Sequence, residues 1–298
     1  RAEFNKWVKA NAYFAFKGDV DLEEVGQPKL HKPETKVVSV PMSRKLTRVY
    51  RKKAEELQVE LEGMLKKYRD EVMDEEAYSS EVTVVRRGKR KKAIKTLKDL
   101  AQRAVGKQLR ELIAITSDPS KFVEGDTSKV DASAGIYAED RTARIVYFTS
   151  QNKVARSVAE NNALRFPDKI HAALLSSSII FYQAGSKGKA RVIARANKKS
   201  APSFDSRFED ILLQKRAAEE AEWAVRIAKK YLRDNPNIGT IACTDAYAKG
   251  FNFQTFNKVV HLDRGKGFDS ELIKQRTARA YRTGQTEVVE EIFLDSTM

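Results

Sequence analysis

Near its C-terminus the chain reads Gln275-Arg276-Thr277-Ala278-Arg279-Ala280-Tyr281-Arg282-Thr283-Gly284-Gln285. Arg279 and Arg282 are three positions apart, so on a helix both project from one face, where two guanidinium forks can grip one polyphosphate. An arginine so placed neutralises charge that builds on a phosphoryl group in flight. The same spacing also describes a solvated basic helix end, and both readings stay open at this point. A second polar segment, Thr244-Asp245-Ala246-Tyr247-Ala248-Lys249-Gly250-Phe251-Asn252-Phe253, follows the apolar residues 238–243. A strand ending in such a loop puts backbone N–H groups and short side chains at the carboxyl edge of a parallel sheet, where ligands of such folds bind. An ordinary strand-to-helix connection reads the same way.

These residues need a scaffold, and the apolar periodicity supplies one. Residues 144–148 read as a strand leading through Thr149-Ser150-Gln151 into a helix over 152–164. Residues 179–182 form a further apolar stretch, ending at Gln183-Ala184-Gly185. A long charged helix spans 205–233 and breaks at Asp234-Asn235-Pro236-Asn237. Strands follow at 238–243, 258–263 and 288–294, with a helix across 270–282. Short apolar strands alternating with helices predict a parallel sheet with helices on both faces, an α/β domain over residues 130–298. Residues 1–129 read as a linking and helical approach segment. It holds a short strand at 35–41, an amphipathic helix from Arg44 to about residue 68 capped by Ser43, and a second helix over 94–116. Between these helices lies Arg86-Arg87-Gly88-Lys89-Arg90-Lys91-Lys92, expected on a loop or helix start. It is either a solvated loop or a strip that follows a phosphate backbone and binds in a strongly salt-dependent way.

Composition narrows the partner. Lysine and arginine number 56 against 41 aspartates and glutamates in 298 residues, a net charge of +15, which favours a polyanion, nucleic acid first. Cys243 is the single cysteine, so no internal disulfide can form, and an intracellular, reducing compartment rather than secretion is expected. No apolar run reaches the roughly 18 residues of a membrane span, and the first residues are not a signal peptide. The start at Arg1 suggests a piece of something longer. His31, His171 and His261 are scattered, so zinc-ligand spacing is absent and no metal site is expected.

Taken in order, the polar segments resemble those of a known family. Residues 275–285 resemble the last signature motif of superfamily 2 helicases and nucleic-acid translocases, which in the Swi/Snf-type branch reads Q-x-x-G-R-x-x-R-x-G-Q. Residues 243–253 resemble the preceding motif and line up with the A-T-D-x-A-x-R-G-x-D form of DEAD-box helicases. Residues 144–151 are similar to the strand and turn that open the second RecA-like lobe, and Gln183-Ala184-Gly185 to the turn that ends that lobe's second strand. Val38-Ser39-Val40-Pro41-Met42, followed by Tyr50, is similar to the entry from the first lobe. The likeness is strong over 238–294, weaker over 130–185 and faint over 1–129. Ala278 stands where the family usually has glycine, Asn252 replaces an aspartate, and Gly265-Lys266-Gly267-Phe268 replaces a tryptophan-asparagine-proline run.

The resemblance implies a RecA-like fold and an ATP-dependent translocase or helicase acting on nucleic acid, with duplex DNA favoured. It implies that Arg279 and Arg282 act on ATP phosphates from the far side of a cleft and that Gln275 holds the same site. Asp245 would tie the arginines to the motif that senses nucleic acid, and Gly250 and Asn252 would face the nucleotide. Thr149, Ser150, Gly185 and Thr244 would touch a strand backbone, where contacts position without reading sequence. Arg86, Arg87, Lys89 and Arg90 would widen that surface. No G-x-x-x-x-G-K-[ST] loop occurs in the chain, and its carboxylate pairs lie in charged helical stretches. ATP and Mg²⁺ would therefore be held mainly by an absent N-terminal lobe, and this chain alone should be inactive. The competing expectation is a nonenzymatic nucleic-acid-binding module that retains the RecA-like fold; a nuclease lacks the needed carboxylate cluster.

Overall fold

The computed structural model describes residues 32–71, 80–86, 89–95, 106, 109–197, 203–204, 221–247, 251–265, 270–282, 285 and 287–298. In chain order the elements are β1 (Glu34–Pro41), α1 (Arg44–Glu71), β2 (Ser80–Arg86), β3 (Lys89–Lys95), α2 (residues 109–117), α3 (Ser128–Glu139), β4 (Ile145–Thr149), α4 (Asn152–Arg165), β5 (Ile170–Leu175) and β6 (Ser178–Ala184). They continue with β7 (Ala190–Asn197), β8 (Ser203–Phe204), α5 (Ala221–Asp234), β9 (Ile238–Thr244), β10 (Lys258–His261), α6 (Ser270–Thr277) and β11 (Glu290–Thr297).

One nine-stranded sheet has the order β1-β11-β10-β4-β9-β5-β6-β7-β8. From β1 to β5 the neighbours are parallel, and β6, β7 and β8 continue antiparallel. The cause is connection length: α4 gives the chain room to cross from β4 to β5, whereas two residues between β5 and β6 allow only a hairpin. Every residue of β4 and β9 is buried, as expected of strands covered on both sides. The two-residue period then sorts their side chains. Ile145 and Tyr147 pack under α3 and α4 with Tyr137, Val154 and Val158. Val146 and Phe148 face the other way, toward Leu232 of α5 and the aromatic cluster Phe251, Phe253 and Phe256. The sheet is thus α/β with helices on both faces, as read from the sequence.

Three local expectations are corrected. Residues 34–41, grouped by sequence with the approach segment, form an edge strand of this sheet, in register with β11 from Glu34↔Glu290 to Pro41↔Thr297. The basic run is not a loop or helix start: β2 pairs with β3 antiparallel, Val85 opposite Arg90 and Arg86 opposite Lys89, so Arg86, Lys89 and Arg90 are strand residues. The β-branched run Val82-Thr83-Val84-Val85 supplies the strand preference. Ile94 belongs to β3 as well, so no helix starts there, and Arg87 lies outside the described residues. Third, the helix expected over 270–282 ends at Thr277. Of the helix read over 205–233, the described part is α5.

α1 begins as its sequence indicates. The Leu46 N–H donates to Ser43 Oγ at 3.2 Å, and the Ser43 hydroxyl in turn donates to Asp126 at 2.7 Å. Its apolar stripe, Leu46, Val49, Tyr50 and Leu57, packs on Leu112 and Ile115 of α2. Among the described residues no helix is long and apolar enough to cross a membrane.

Candidate functional site at the carboxyl edge of the sheet

Because β4, β9 and β10 are parallel and in register, with Thr149 opposite Thr244 and Phe148 opposite His261, the residues that follow them emerge on one edge. Ser150, Asp245 and Asp263 therefore meet there. Arg276 of α6, wholly buried, inserts between the two aspartates. Its Nε donates to the Asp245 carboxylate at 2.9 Å and its Nη2 joins the same oxygen, while Nη1 donates to the Asp263 carbonyl at 2.6 Å and Nη2 to the Asp263 carboxylate at 3.1 Å. The other Asp263 oxygen accepts from the Thr149 hydroxyl at 2.8 Å, the Ser150 N–H at 2.7 Å and the Ser150 hydroxyl at 3.1 Å. The Gly265 N–H completes the shell at 2.9 Å. Gly265 turns back to do so at φ +79°, a conformation that favours glycine, and a Cβ there would meet Leu272 at 2.8 Å. Burial opposes ionisation of Asp263, but Arg276 and the donated hydrogen bonds outweigh it and hold the carboxyl below its ordinary range.

Arg279 and Arg282 sit in the turn after α6 rather than on one helical face. The Arg279 N–H donates to the Arg276 carbonyl at 3.1 Å, and the Gln285 N–H to the Arg282 carbonyl at 2.9 Å. The Arg279 carbonyl accepts the Phe253 N–H at 2.8 Å, which staples residues 251–257 to this turn. Arg279 is half-buried and Arg282 exposed. Burial, and then the charge of Arg282, lower the proton affinity of Arg279. The charge of Arg282 thus acts on Arg279 although the helix that was to align them has ended.

The other expected residues divide. Gln275 stays on α6, its amide donating to Glu271 at 3.4 Å. Asn252 is half-buried and folds onto Gln254, accepting its N–H at 3.1 Å. Thr244 is buried, its hydroxyl 3.4 Å from the Leu174 carbonyl. Thr149 is also buried and spends its hydroxyl on Asp263. Gly250 lies outside the described residues. Gly185 is not brought to this edge at all: β6 runs antiparallel to β5, so its C-terminal end reaches the opposite, amino edge of the sheet. Glycine is needed there because a Cβ would come within 2.6 Å of the Lys189 carbonyl oxygen.

Behind the site, His261 clamps α6 to the sheet. Its Nε2 lies 3.0 Å from Glu291 and 3.3 Å from the Thr277 hydroxyl, and its ring stacks on Phe293 at 4.7 Å. Burial makes His261 less basic than usual, although Glu291 pulls the other way. His171, buried beside Thr240 and the Phe166 carbonyl, is pushed down by burial to about 4. Both folded values lie below the unfolded 6.5, so this stability is complete above pH 6.5. It falls as pH drops toward 4, where the unfolded chain takes up protons that the fold refuses. Urea midpoints should therefore decline between pH 7 and 4, and His171→Asn, which cannot titrate, should flatten the decline. An equal decline in the variant would contradict the assignment.

No family model matches the chain, and no curated protein matches it in sequence. Its fold is similar to SWI2/SNF2 ATPase C-terminal domains. The domain from Sulfolobus solfataricus aligns over 89% of this chain and 80% of its own, with 14% identity and a TM-score of 0.47. The ATPase core of the same source, in complex with dsDNA, aligns over 89% of this chain at 17% identity and a TM-score of 0.47, and this chain spans 42% of it. The C-terminal part of the Fun30 ATPase domain aligns over 90% and 87%, with 13% identity and a TM-score of 0.45. At these identities and scores the matches assign no function.

Of the residues that organise the site, Thr149, Ser150 and Asp245 were singled out by sequence, and Arg276 and Asp263 were not. Arg276 was read past in favour of Arg279 and Arg282, and Asp263 as the end of an apolar strand. A charged residue closing Val259-Val260-His261-Leu262 is nonetheless a signal, since strand ends of parallel sheets carry ligand-facing groups. Gln285 is a strut: it is buried and its amide donates to the Phe256 carbonyl at 3.1 Å.

Proposed function

We propose that the chain is the C-terminal RecA-like lobe of an ATP-dependent nucleic-acid translocase or helicase, superfamily 2 and Swi/Snf-type, acting on duplex DNA inside the cell. Residues 130–298, with β1 added to their sheet, are the motor lobe, and the preceding segment is its helical approach. One observation carries the reading: the buried Arg276 fork ties Asp245 to Asp263. The turn that follows carries Arg279 and Arg282, and its backbone is bonded to Phe253 through the Arg279 carbonyl. A guanidinium whose charge is opposed by burial and by a neighbouring arginine, as at Arg279, is suited to a polyanion, and a triphosphate can take both forks at once. Gln275, Asn252 and Gly250 would contribute to the same nucleotide site. ATP as substrate, with Mg²⁺, would be held mainly by an N-terminal lobe, because this sequence contains no phosphate-binding loop.

Within this lobe the protein's own contribution is positional. Arg276 fixes the turn, and closure of the cleft brings Arg279 and Arg282 to the phosphate, where they stabilise developing negative charge. The backbone at Ser150 and Thr244, the basic strands β2 and β3 with Arg86, Lys89 and Arg90, and Arg87 between them in sequence would follow the DNA backbone. Gly185 is left out of this surface because of its position at the opposite edge. The test is nucleic-acid-stimulated ATP hydrolysis by the intact two-lobed protein with and without Arg279→Ala. Loss of hydrolysis with retained DNA binding supports the reading. Unchanged hydrolysis, or none in the wild type, favours a binding module.

A further inference from the structure

A cavity of about 270 Å³ lies between α2, α1 and the carboxyl ends of β10 and β11, apart from the arginine turn. One wall is apolar: Tyr50, Leu109, Leu112 and Leu294. The lining also includes polar groups with spare donors, Lys129 and Ser117. Lys129 is 4% exposed, and one of its ammonium protons goes to the Leu262 carbonyl. Ser117 is 1% exposed, and its Oγ has no hydrogen-bond partner among the described residues. Unpaired buried hydroxyls are uncommon and call for an explanation.

The acceptors in this lining are already engaged. Asp263 receives the hydrogen bonds described above, and Asp295 is forked by Arg264 at 3.1 and 2.6 Å. What remains unmet is donor capacity, on a buried ammonium and a buried hydroxyl, and a buried charge without full compensation is costly. Burial lowers Lys129 to about 8 despite Asp263 and Asp295, in keeping with that incomplete compensation.

We propose that this cavity is a binding site for a small amphipathic carboxylate, its carboxylate on Lys129 and Ser117 and its apolar body against Tyr50, Leu109 and Leu112. The size matches a compact molecule, since pockets for drug-sized ligands begin at about 300 Å³. The site is independent of the nucleotide reading and stands if that reading fails.

The test is calorimetric titration of the 298-residue chain with benzoate, and with benzyl alcohol as the neutral counterpart. Benzoate should bind saturably, one per chain, and at least about tenfold more tightly than benzyl alcohol. Ser117→Ala, which removes a hydroxyl that makes no bond among the described residues, should weaken benzoate about three- to tenfold. Lys129→Met should abolish benzoate binding; if that variant does not fold, Ser117→Ala decides. Benzoate that does not saturate, equal binding of the alcohol, or unchanged affinity in Ser117→Ala would overturn the proposal.

Discussion

Replacing Arg279 by alanine in the intact two-lobed protein should lower nucleic-acid-stimulated ATP hydrolysis by about a thousandfold or more, the scale of a lost arginine finger. The reason for so large an effect with so little structural damage lies in how the residue is held. Its carbonyl and N–H make the bonds to Phe253 and Arg276, and alanine keeps both. Its side chain is half-buried and feels the charge of Arg282. Removing it relieves the like-charge contact with Arg282 and takes away a positive charge from where phosphate charge would develop. Arg282→Ala should act in the same direction, and the double variant should lose little more than either alone, because the two serve one group. Steady-state hydrolysis alongside DNA binding separates this from a binding defect. Full activity in Arg279→Ala would remove the residue from the mechanism.

Arg276→Met should destabilise the fold by about 3–5 kcal/mol, the scale for removing one partner of a buried ion pair. Methionine fills similar space but leaves Asp263, 4% exposed, and Asp245 without their cation. The pH dependence identifies the cause. Without the guanidinium, burial dominates Asp263 and raises its folded pKa above the unfolded value, so protonation favours the folded variant. The deficit in urea midpoint should then narrow as pH falls from 7 toward 4.5. Arg276→Lys should recover only part of the loss, since an ammonium cannot span Asp245 and two Asp263 oxygens as the fork does. A deficit below about 1 kcal/mol in Arg276→Met, or one independent of pH, would mean that the network does not hold the edge together.

The strands at 145–148, 179–182 and 238–243 were legible because burial on both faces writes them as continuous apolar runs against a highly charged chain, whereas β5, β7 and β8 were not read as strands. Partner choice was not legible. The alternation in β1 announced a strand but not its pairing with β11, some 256 residues away, because register depends on which edges remain free once the core strands have paired. The β2–β3 hairpin was hidden by its lysines and arginines, which carry no apolar period, while cross-strand pairing acts on the backbone. At the site, motif spacing led to Arg279 and Arg282 but supposed a helix beneath them. The helix stops at Thr277, where the residue's hydroxyl bonds Glu291 and the Ile273 carbonyl. The buried partner of two aspartates, Arg276, could not be told from its neighbours by charge alone. Nothing in sequence marks Lys129 or Ser117, whose interest comes only from what surrounds them.

The most direct measurement is a structure of the intact two-lobed protein bound to duplex DNA and a transition-state mimic such as ADP with aluminium fluoride. The account predicts Arg279 and Arg282 within about 3 Å of the fluoride that stands for the transferred phosphoryl group, with Arg276 still bridging Asp245 and Asp263. A closed complex in which other cations hold the mimic while both of these guanidiniums face bulk water would contradict it.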